Sequence, residues 1–282
     1  MNITVQTEKA ERLRALHQGP KILVLPNAWD VASARIIEEM GYPAIATSSA
    51  AIAATLGYPD GQRISRNEML AVVDRITRAV RVPVTADAES GYGTTPQDAA
   101  QFAKDLVASG AVGLNFEDIT GDDESSHVEL GVQVSRIEAL RDTSKSLGVP
   151  LVINARTDIF LMPIGPAETR LERTIDRLRA YRRAGADCVF VPGVADREII
   201  RKLVRSVDVP LNILASATCP PIPELERLGV RRLSLGSSLM RATLGFVRCI
   251  GKELQASGTY ASLNEGTVPF LELQQLLARA NS

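Results

Sequence analysis

Asp87 and Glu89 in the stretch VTADAESGYG, with Glu117 in GLNFED thirty positions after Asp87, are the residues of this chain best placed to do chemistry. Each segment is a short apolar, β-branched run closed by an acid. Both therefore read as buried strands that deliver carboxylates at their C-terminal tips, where alternating α/β enzymes keep their reactive groups. An oxygen-only donor set with no nearby Cys or His pair suits a hard cation such as Mg2+ or Mn2+, which keeps waters and takes further ligands from a substrate. Zinc is disfavoured on the same ground. A lone acid of this kind reads as readily as a solvated loop carboxylate or a helix cap. Three together at strand ends argue for a site.

The elements that must position these acids alternate along the chain. Strands are expected at Ile22 to Leu25, Ala44 to Thr47, Val84 to Asp87, Gly113 to Glu117, Leu151 to Arg156, Cys188 to Val191, Leu211 to Leu214 and Arg232 to Leu235. Between them lie helical patterns with apolar residues three and four apart, such as Pro96 to Ser109, Val134 to Leu147, Ala167 to Ala184 and Arg197 to Val207. Glycines at 41, 110, 148 and 185 precede the next strands and suit left-handed helix ends. Eight right-handed βα units close most simply into a (β/α)8 TIM-type barrel of the α/β class. A doubly wound open sheet is the alternative, yet no GxGxxG follows the first strand. No linker or repeat divides the chain, so residues 1–282 read as one domain. After an eighth helix at about Ser238 to Ala256, residues 257–282 form a C-terminal extension, a bend from Ser257 to Gly266 and then a helix from Pro269 to Ala280. Its apolar face must cover its own barrel or a neighbour's.

Composition narrows the partners. Lys and Arg number 32 against 33 Asp and Glu, which leaves no basic surplus for nucleic acid or an anionic membrane. The N-terminal MNITVQTEKAERLRALHQG is polar and helical, and no apolar run approaches the ~20 residues needed to span a bilayer. Cys188, Cys219 and Cys249 are odd in number and widely spaced, so they read as buried small hydrophobes in a reducing compartment, with the cytoplasm as the expected location.

The segments LPNAWDVASA, ATSSAAIAATLGYPDG, PVTADAESGYG, GLNFED, INARTD and LNILASATCPPIPELERLGVRRLSLGSSLMRA resemble the isocitrate lyase/phosphoenolpyruvate mutase superfamily, in order from about Leu25 to Ala242. The resemblance implies an α/β barrel, often with a C-terminal helix swapped between subunits of a tetramer; a dimer is the other expected homo-oligomer. It also implies chemistry at a C–C or C–P bond beside the α-carbon of a small 2-oxo acid or related dicarboxylate, with Mg2+ holding an enolate. Carried across by residue, it makes Asp87 the principal metal ligand, with Glu89, Glu117 and Asp60 as ligands or holders of metal-bound water. Glu89 departs from the Asp of most relatives. Arg156 matches the arginine that grips the substrate carboxylate, for which a planar fork of donors is suited; a rim ion pair with Asp158 or Glu117 is its other reading. Ser48 and Ser49 match the small-residue loop that holds carboxylate and keto oxygens. Trp29 is expected to wall the pocket or to pack in the core, and Asn212 to contact the distal part of a substrate or to be a buried amide satisfied by the backbone.

The loop FEDITGDDESSHVELG decides the reaction. Lyases of the superfamily carry K-[KR]-C-G-H there, whose Cys is the acid/base; here Ser125 stands at the Cys position and His127 at the His position. A serine hydroxyl without an activating base is a poor proton carrier near neutral pH. Asp122, Asp123 and Glu124 bring negative charge where the lyases have positive, which disfavours tricarboxylates. Decarboxylation of oxaloacetate is therefore the first expectation, with the enolate protonated by water or His127. Hydrolysis of the C–P bond of phosphonopyruvate comes next. Retro-aldol cleavage of a malate-like acid, with Ser125 or His127 in the thiol's place, is third, and a non-catalytic 2-oxo-acid binding protein is the reading from another class.

Overall fold

The computed structural model describes residues 2–121 and 126–278. Helix α1 (Ile3–His17) precedes the sheet. There follow β1 (Leu23–Leu25), β2 (Asn27–Ala28), α2 (Val31–Glu39), β3 (Ile45–Thr47), α3 (Ser49–Thr55), α4 (Arg66–Ala79), β4 (Val84–Asp87), α5 (Pro96–Ala108) and β5 (Gly113–Glu117). The second half holds α6 (Leu130–Ser146), β6 (Val152–Arg156), α7 (Arg170–Arg183), β7 (Cys188–Val191), α8 (Arg197–Ser206), β8 (Leu211–Leu214), α9 (Ile222–Leu228), β9 (Arg232–Ser234), α10 (Ser238–Ser257) and α11 (Phe270–Ala278). Among the described residues no helix is long and apolar enough to cross a membrane.

Among the described residues the sheet has nine strands, all parallel, in the order β1-β9-β8-β7-β6-β5-β4-β3-β2. The two ends of that order, β1 and β2, flank Pro26 in the chain, so the sheet closes on itself as the expected barrel. Sequence patterning reads a strand here only at Ile22 to Leu25, and the stave continues past Pro26 as the short second strand Asn27–Ala28. Proline has no N–H for the ladder, and on either side of it β1 pairs with β9 while β2 pairs with β3. The side chain of Asn27 bridges the seam: its Oδ1 accepts from Leu235 N–H (2.8 Å) and Gly236 N–H (2.9 Å), and its Nδ2 donates to Thr47 O (2.7 Å).

The outer helices form where caps and apolar spacing agree. Thr95 and Asp98 make a capping box with Pro96 in the first turn, and α5 buries Ala99, Phe102, Ala103 and Leu106, one face of a 3.6-residue repeat. Burying Phe102 or Leu106 stabilises the fold by roughly 1.5–3 kcal/mol each. Two helix starts differ from expectation. Helix α6 begins at Leu130, not Val134, because the Glu129 carboxylate caps it by accepting from Val132 N–H at 3.0 Å. Helix α7 begins at Arg170, not Ala167, because residues 167–169 turn first, with Arg170 N–H reaching Ala167 O at 3.4 Å.

The C-terminal part departs from barrel geometry. The helix that follows β9 should cover the outer faces of β9 and β1, but of the twenty residues of α10 only Met240 is buried, and Leu244, Val247 and Leu254 are about half exposed. The place it leaves is an apolar slot of about 750 Å3, walled by Val24, Pro26, Ile36, Tyr42, Leu233 and Leu239. Beyond a 3-10 turn at Ala261–Asn264, α11 buries Leu276 while Phe270 and Leu271 stay more than 70% exposed.

Asn27→Ala leaves two backbone N–H groups and a carbonyl without partners at the seam, each costing about 1–3 kcal/mol if buried. Urea denaturation should show a loss of at least about 2 kcal/mol; a loss under 0.5 kcal/mol would mean that the seam does not depend on this side chain.

Candidate active site

Parallel register brings the sequence-separated acids together. Asp87 pairs with Asn115 and Glu117 pairs with Arg156, so β4, β5 and β6 end side by side with their last side chains at one mouth of the barrel. A cavity of about 340 Å3 opens there, lined by Ser49, Asp60, Glu89, Glu117, Arg156 and Asp158 together with Ile119, Leu161 and Met162.

Asp87 lies beneath that cavity, 8% exposed and held by three donors. Its Oδ2 accepts from Ser49 N–H (3.1 Å) and Ser49 Oγ–H (2.8 Å), and its Oδ1 accepts from Asn115 Nδ2 (3.2 Å). Glu89 follows in a tight turn with φ of +48°, a left-handed conformation uncommon for a residue with a side chain. The turn is pinned from outside by α6, where Arg136, stacked 4.7 Å over Phe116, donates to Ser90 O and to Gly93 O. Gly91 in the same turn has φ of +82° and no room for a side chain, since a Cβ would meet the Phe116 ring at 2.7 Å.

The mouth carries a surplus of negative charge. Burial, with the charges of Asp87 and Asp60, pushes Glu89 up to about 8. Burial likewise holds Glu117 well above the usual carboxylate range although Arg156 pulls the other way, and Asp158 is raised by the same balance. Arg156 is the one basic side chain among the described residues lining the cavity. Its Nη1 lies 2.8 Å from Glu117 Oε2, and its Nε and Nη2 both donate to Asp158 Oδ1 (3.0 and 2.8 Å). Burial works against its charge, yet Asp158 and Glu117 bind its proton more firmly than usual.

This donor set fits a divalent hard cation. The donors are carboxylates only, and two of them, Glu89 and Glu117, are raised chiefly by burial with neighbouring carboxylates adding to it, a balance that a bound cation would reverse. Among the described residues no three His, Cys, Asp or Glu side chains are grouped so that they could hold a metal ion by themselves. An ion that keeps several waters and binds through one or two carboxylates needs no such group.

The other expected residues fall in different places. Asp60 is exposed at the rim, where Gly61 N–H donates to it at 3.0 Å. Ser48 does not line the cavity: its N–H donates to Ala28 O (3.2 Å) and its Oγ caps α3. Trp29 walls the apolar slot on the barrel's outer side and not the acidic cavity. Asn212 is wholly buried in β8, donating to Ser234 Oγ at 3.3 Å. Ser125 lies outside the described residues.

His127 turns away from the cavity into a cluster that sequence reading missed. The fully buried Asp118 accepts from His127 Nε2 (3.2 Å), Arg177 Nη1 (2.9 Å) and Tyr181 Oη (2.6 Å), and from the backbone N–H of Asp158 (3.0 Å). Burial alone would raise Asp118, but His127, Arg177 and Tyr181 hold it below the ordinary Asp value. Nothing in the spacing marks Arg177 and Tyr181, 59 and 63 positions from Asp118. Their helical i, i+4 offset only says that they share a face.

A carboxylate raised by burial is protonated more readily folded than unfolded, so its ionisation destabilises the fold. The unfolded chain then binds fewer protons over the interval between Glu89's ordinary value of 4.5 and about 8, and stability falls as pH rises through it. Calorimetry in chelator should show the melting temperature dropping between pH 5 and 8, less so in Glu89→Gln, with added Mg2+ cancelling the drop. A melting temperature indifferent to both pH and Mg2+ would contradict this account of the mouth.

Comparison with known proteins agrees with the geometry. The family model for phosphoenolpyruvate phosphomutase matches residues 13–255. A crystal structure from Burkholderia cenocepacia J2315, described only as a lyase/mutase, superposes with a TM-score of 0.91 at 34% identity, covering 98% of each chain. An oxaloacetate decarboxylase of Bradyrhizobium diazoefficiens is 28% identical over 271 residues, 93% of this chain and 87% of its own. A 2-methylisocitrate lyase of Aeropyrum pernix is 27% identical over 253 residues, 88% of this chain and 80% of its own.

Proposed function

The chain belongs to the phosphoenolpyruvate phosphomutase family, within the isocitrate lyase/phosphoenolpyruvate mutase superfamily, and on that premise we propose that it is a Mg2+-dependent carbon–carbon lyase that decarboxylates oxaloacetate or a close 2-oxo dicarboxylate. The observation that carries this reading is a cavity with one guanidinium facing a group of carboxylates and, among its described lining residues, neither thiol nor imidazole. Cys188 is buried in β7 with its thiol pushed up to about 12, Cys219 borders the apolar slot and Cys249 is exposed on α10. Among the described lining residues, cleavage that needs a thiol or imidazole beside the scissile carbon finds none. Loss of CO2 needs only a place for the electrons.

In this reading Arg156 binds a substrate carboxylate, and Ile119, Leu161 and Met162 exclude water from the carbon chain. A Mg2+ ion held by Asp87, with Glu89, Glu117 and Asp60 as ligands or holders of its waters, would supply positive charge where the keto oxygen becomes negative. Water returns the proton, because His127 is spent on Asp118. The cavity of about 340 Å3 and its acids suit a small dicarboxylate better than a tricarboxylate. Unpaired cysteines support a reducing, cytoplasmic location.

The reading is tested by incubating the protein with Mg2+ and oxaloacetate, coupling pyruvate to lactate dehydrogenase and subtracting spontaneous decay. Asp87→Ala should fall to background and Arg156→Ala should lose roughly 100- to 1,000-fold in kcat/KM. His127→Ala should stay within about tenfold, whereas a true acid/base would cost about 100- to 10,000-fold. No pyruvate above background would end the decarboxylase assignment. Phosphonopyruvate, dimethylmalate and methylisocitrate then test the other bonds, and Mg2+-dependent binding without turnover would leave a 2-oxo-acid binding protein.

Assembly belongs to the same proposal. The uncovered slot between β9, β1 and α2 and the apolar residues of α10 are complementary, which supports exchange of the C-terminal helices between subunits of a dimer or tetramer. Light scattering should give an oligomer for the full chain and a monomer for Val247→Glu/Leu254→Glu; a monomeric parent would dismiss the exchange.

A further inference from the structure

A column of polar side chains runs through the barrel interior, a region that branched apolar residues ordinarily fill. It starts on α1, where His17 Nδ1 meets Leu13 O at 2.7 Å. Burial, reinforced by the Arg232 charge, lowers His17 to about 3, so its ring is neutral. A neutral ring whose Nδ1–H is given to a carbonyl presents Nε2 as an acceptor, and Arg232 Nη1 lies 3.3 Å from it. Arg232, with no solvent exposure, then donates from Nη2 to Asn115 Oδ1 at 2.9 Å.

That contact settles the orientation of an amide. A guanidinium has donors and no acceptors, so the oxygen of Asn115 must face it. Asn154 Nδ2 donates to the same oxygen at 2.8 Å. Asn115 Nδ2 is thereby left facing Asp87, and it donates to Oδ1 at 3.2 Å. Ser49 holds the other carboxylate oxygen, so the plane of Asp87 is set from both sides.

We infer that Asn115 is the positioning residue of Asp87, kept in one amide orientation by the buried pair Arg232 and His17. Through this column a cation at the closed end of the barrel orients the carboxylate at its open end. Partners of this kind around a ligating carboxylate are worth about 10- to 100-fold in metal affinity. The inference rests on the reading of Asp87 as the ion's anchor, and the experiment separates the two.

Mn2+ alone is titrated into the full-length protein and its variants without substrate, free ion being followed by electron paramagnetic resonance, with folding checked by circular dichroism. Asn115→Ala should raise the Mn2+ Kd by about 10- to 100-fold. Asn115→Thr, better suited to a strand but too short to reach both neighbours, should do the same if the alanine variant does not fold. Arg232→Met should weaken binding and Arg232→Lys should recover part of the loss, an order that a purely structural role would not produce. Folded Asn115 variants binding Mn2+ within twofold of the parent, while Asp87→Ala does not, would overturn the positioning role. Undiminished binding by Asp87→Ala would instead overturn the reading of Asp87 on which it rests.

Discussion

The mouth of the barrel places at least four acids around one guanidinium, and the local structure follows from that imbalance. A buried carboxylate is tolerated when it is hydrogen-bonded or neutralised. Asp87 is met by three donors and Glu117 by Arg156, whereas Glu89 has two neutral partners, the Tyr92 hydroxyl 3.4 Å away and the Gln62 backbone N–H, and sits with a strained backbone. The protein thus holds these groups at a cost that bound positive charge would lower. Such preorganisation is useful when negative charge develops on a substrate, because the compensating groups need not move.

Rigidity around the mouth comes from charged groups used as internal ties. Arg136 fastens the 88–93 turn to α6, Arg156 spans β5 and β6, and Asp118 gathers α7, the end of the 119–128 loop and the start of the segment after β6. None of the three is a surface ion pair of the kind that solvent screens away. Removing one partner would leave a buried charge, which costs far more than an exposed pair contributes. The Asp118 cluster also explains why the one histidine of this loop is not at the cavity: Asp118 offers a desolvated anion to the imidazole, and the ring is drawn to it.

The barrel's outside is incomplete where its inside is complete. Strand closure at Pro26 is secured by Asn27, yet α10, the helix that follows β9, leaves an apolar slot open beside β1 and β9. An apolar slot of about 750 Å3 is large for an isolated chain. The same helix carries Leu244, Val247 and Leu254 at positions where a partner surface would bury them.

Periodicity alone was enough to read eight βα units, their order and the acids at the strand tips, because a two-residue alternation or a 3.6-residue repeat is a local property of the chain. The resemblance of short motifs named the reaction family for a similar reason, since groups that touch a small substrate cluster in loops next to strand ends. Register decided the rest. That Glu117 meets Arg156, that Asp87 meets Asn115, and that Arg232 lies beneath Asn115 depends on residues 28 to 117 positions apart being laid side by side, and no local pattern records that pairing. The same holds for His127 against Asp118, for the break at Pro26, and for Trp29 and Asn212, whose residue types fit a pocket and a core equally well. Sequence determined which chemistry-bearing groups exist and at which ends of which elements they stand. Only the closed barrel decided which of them share one buried volume, because desolvation and charge compensation act through space and not along the chain.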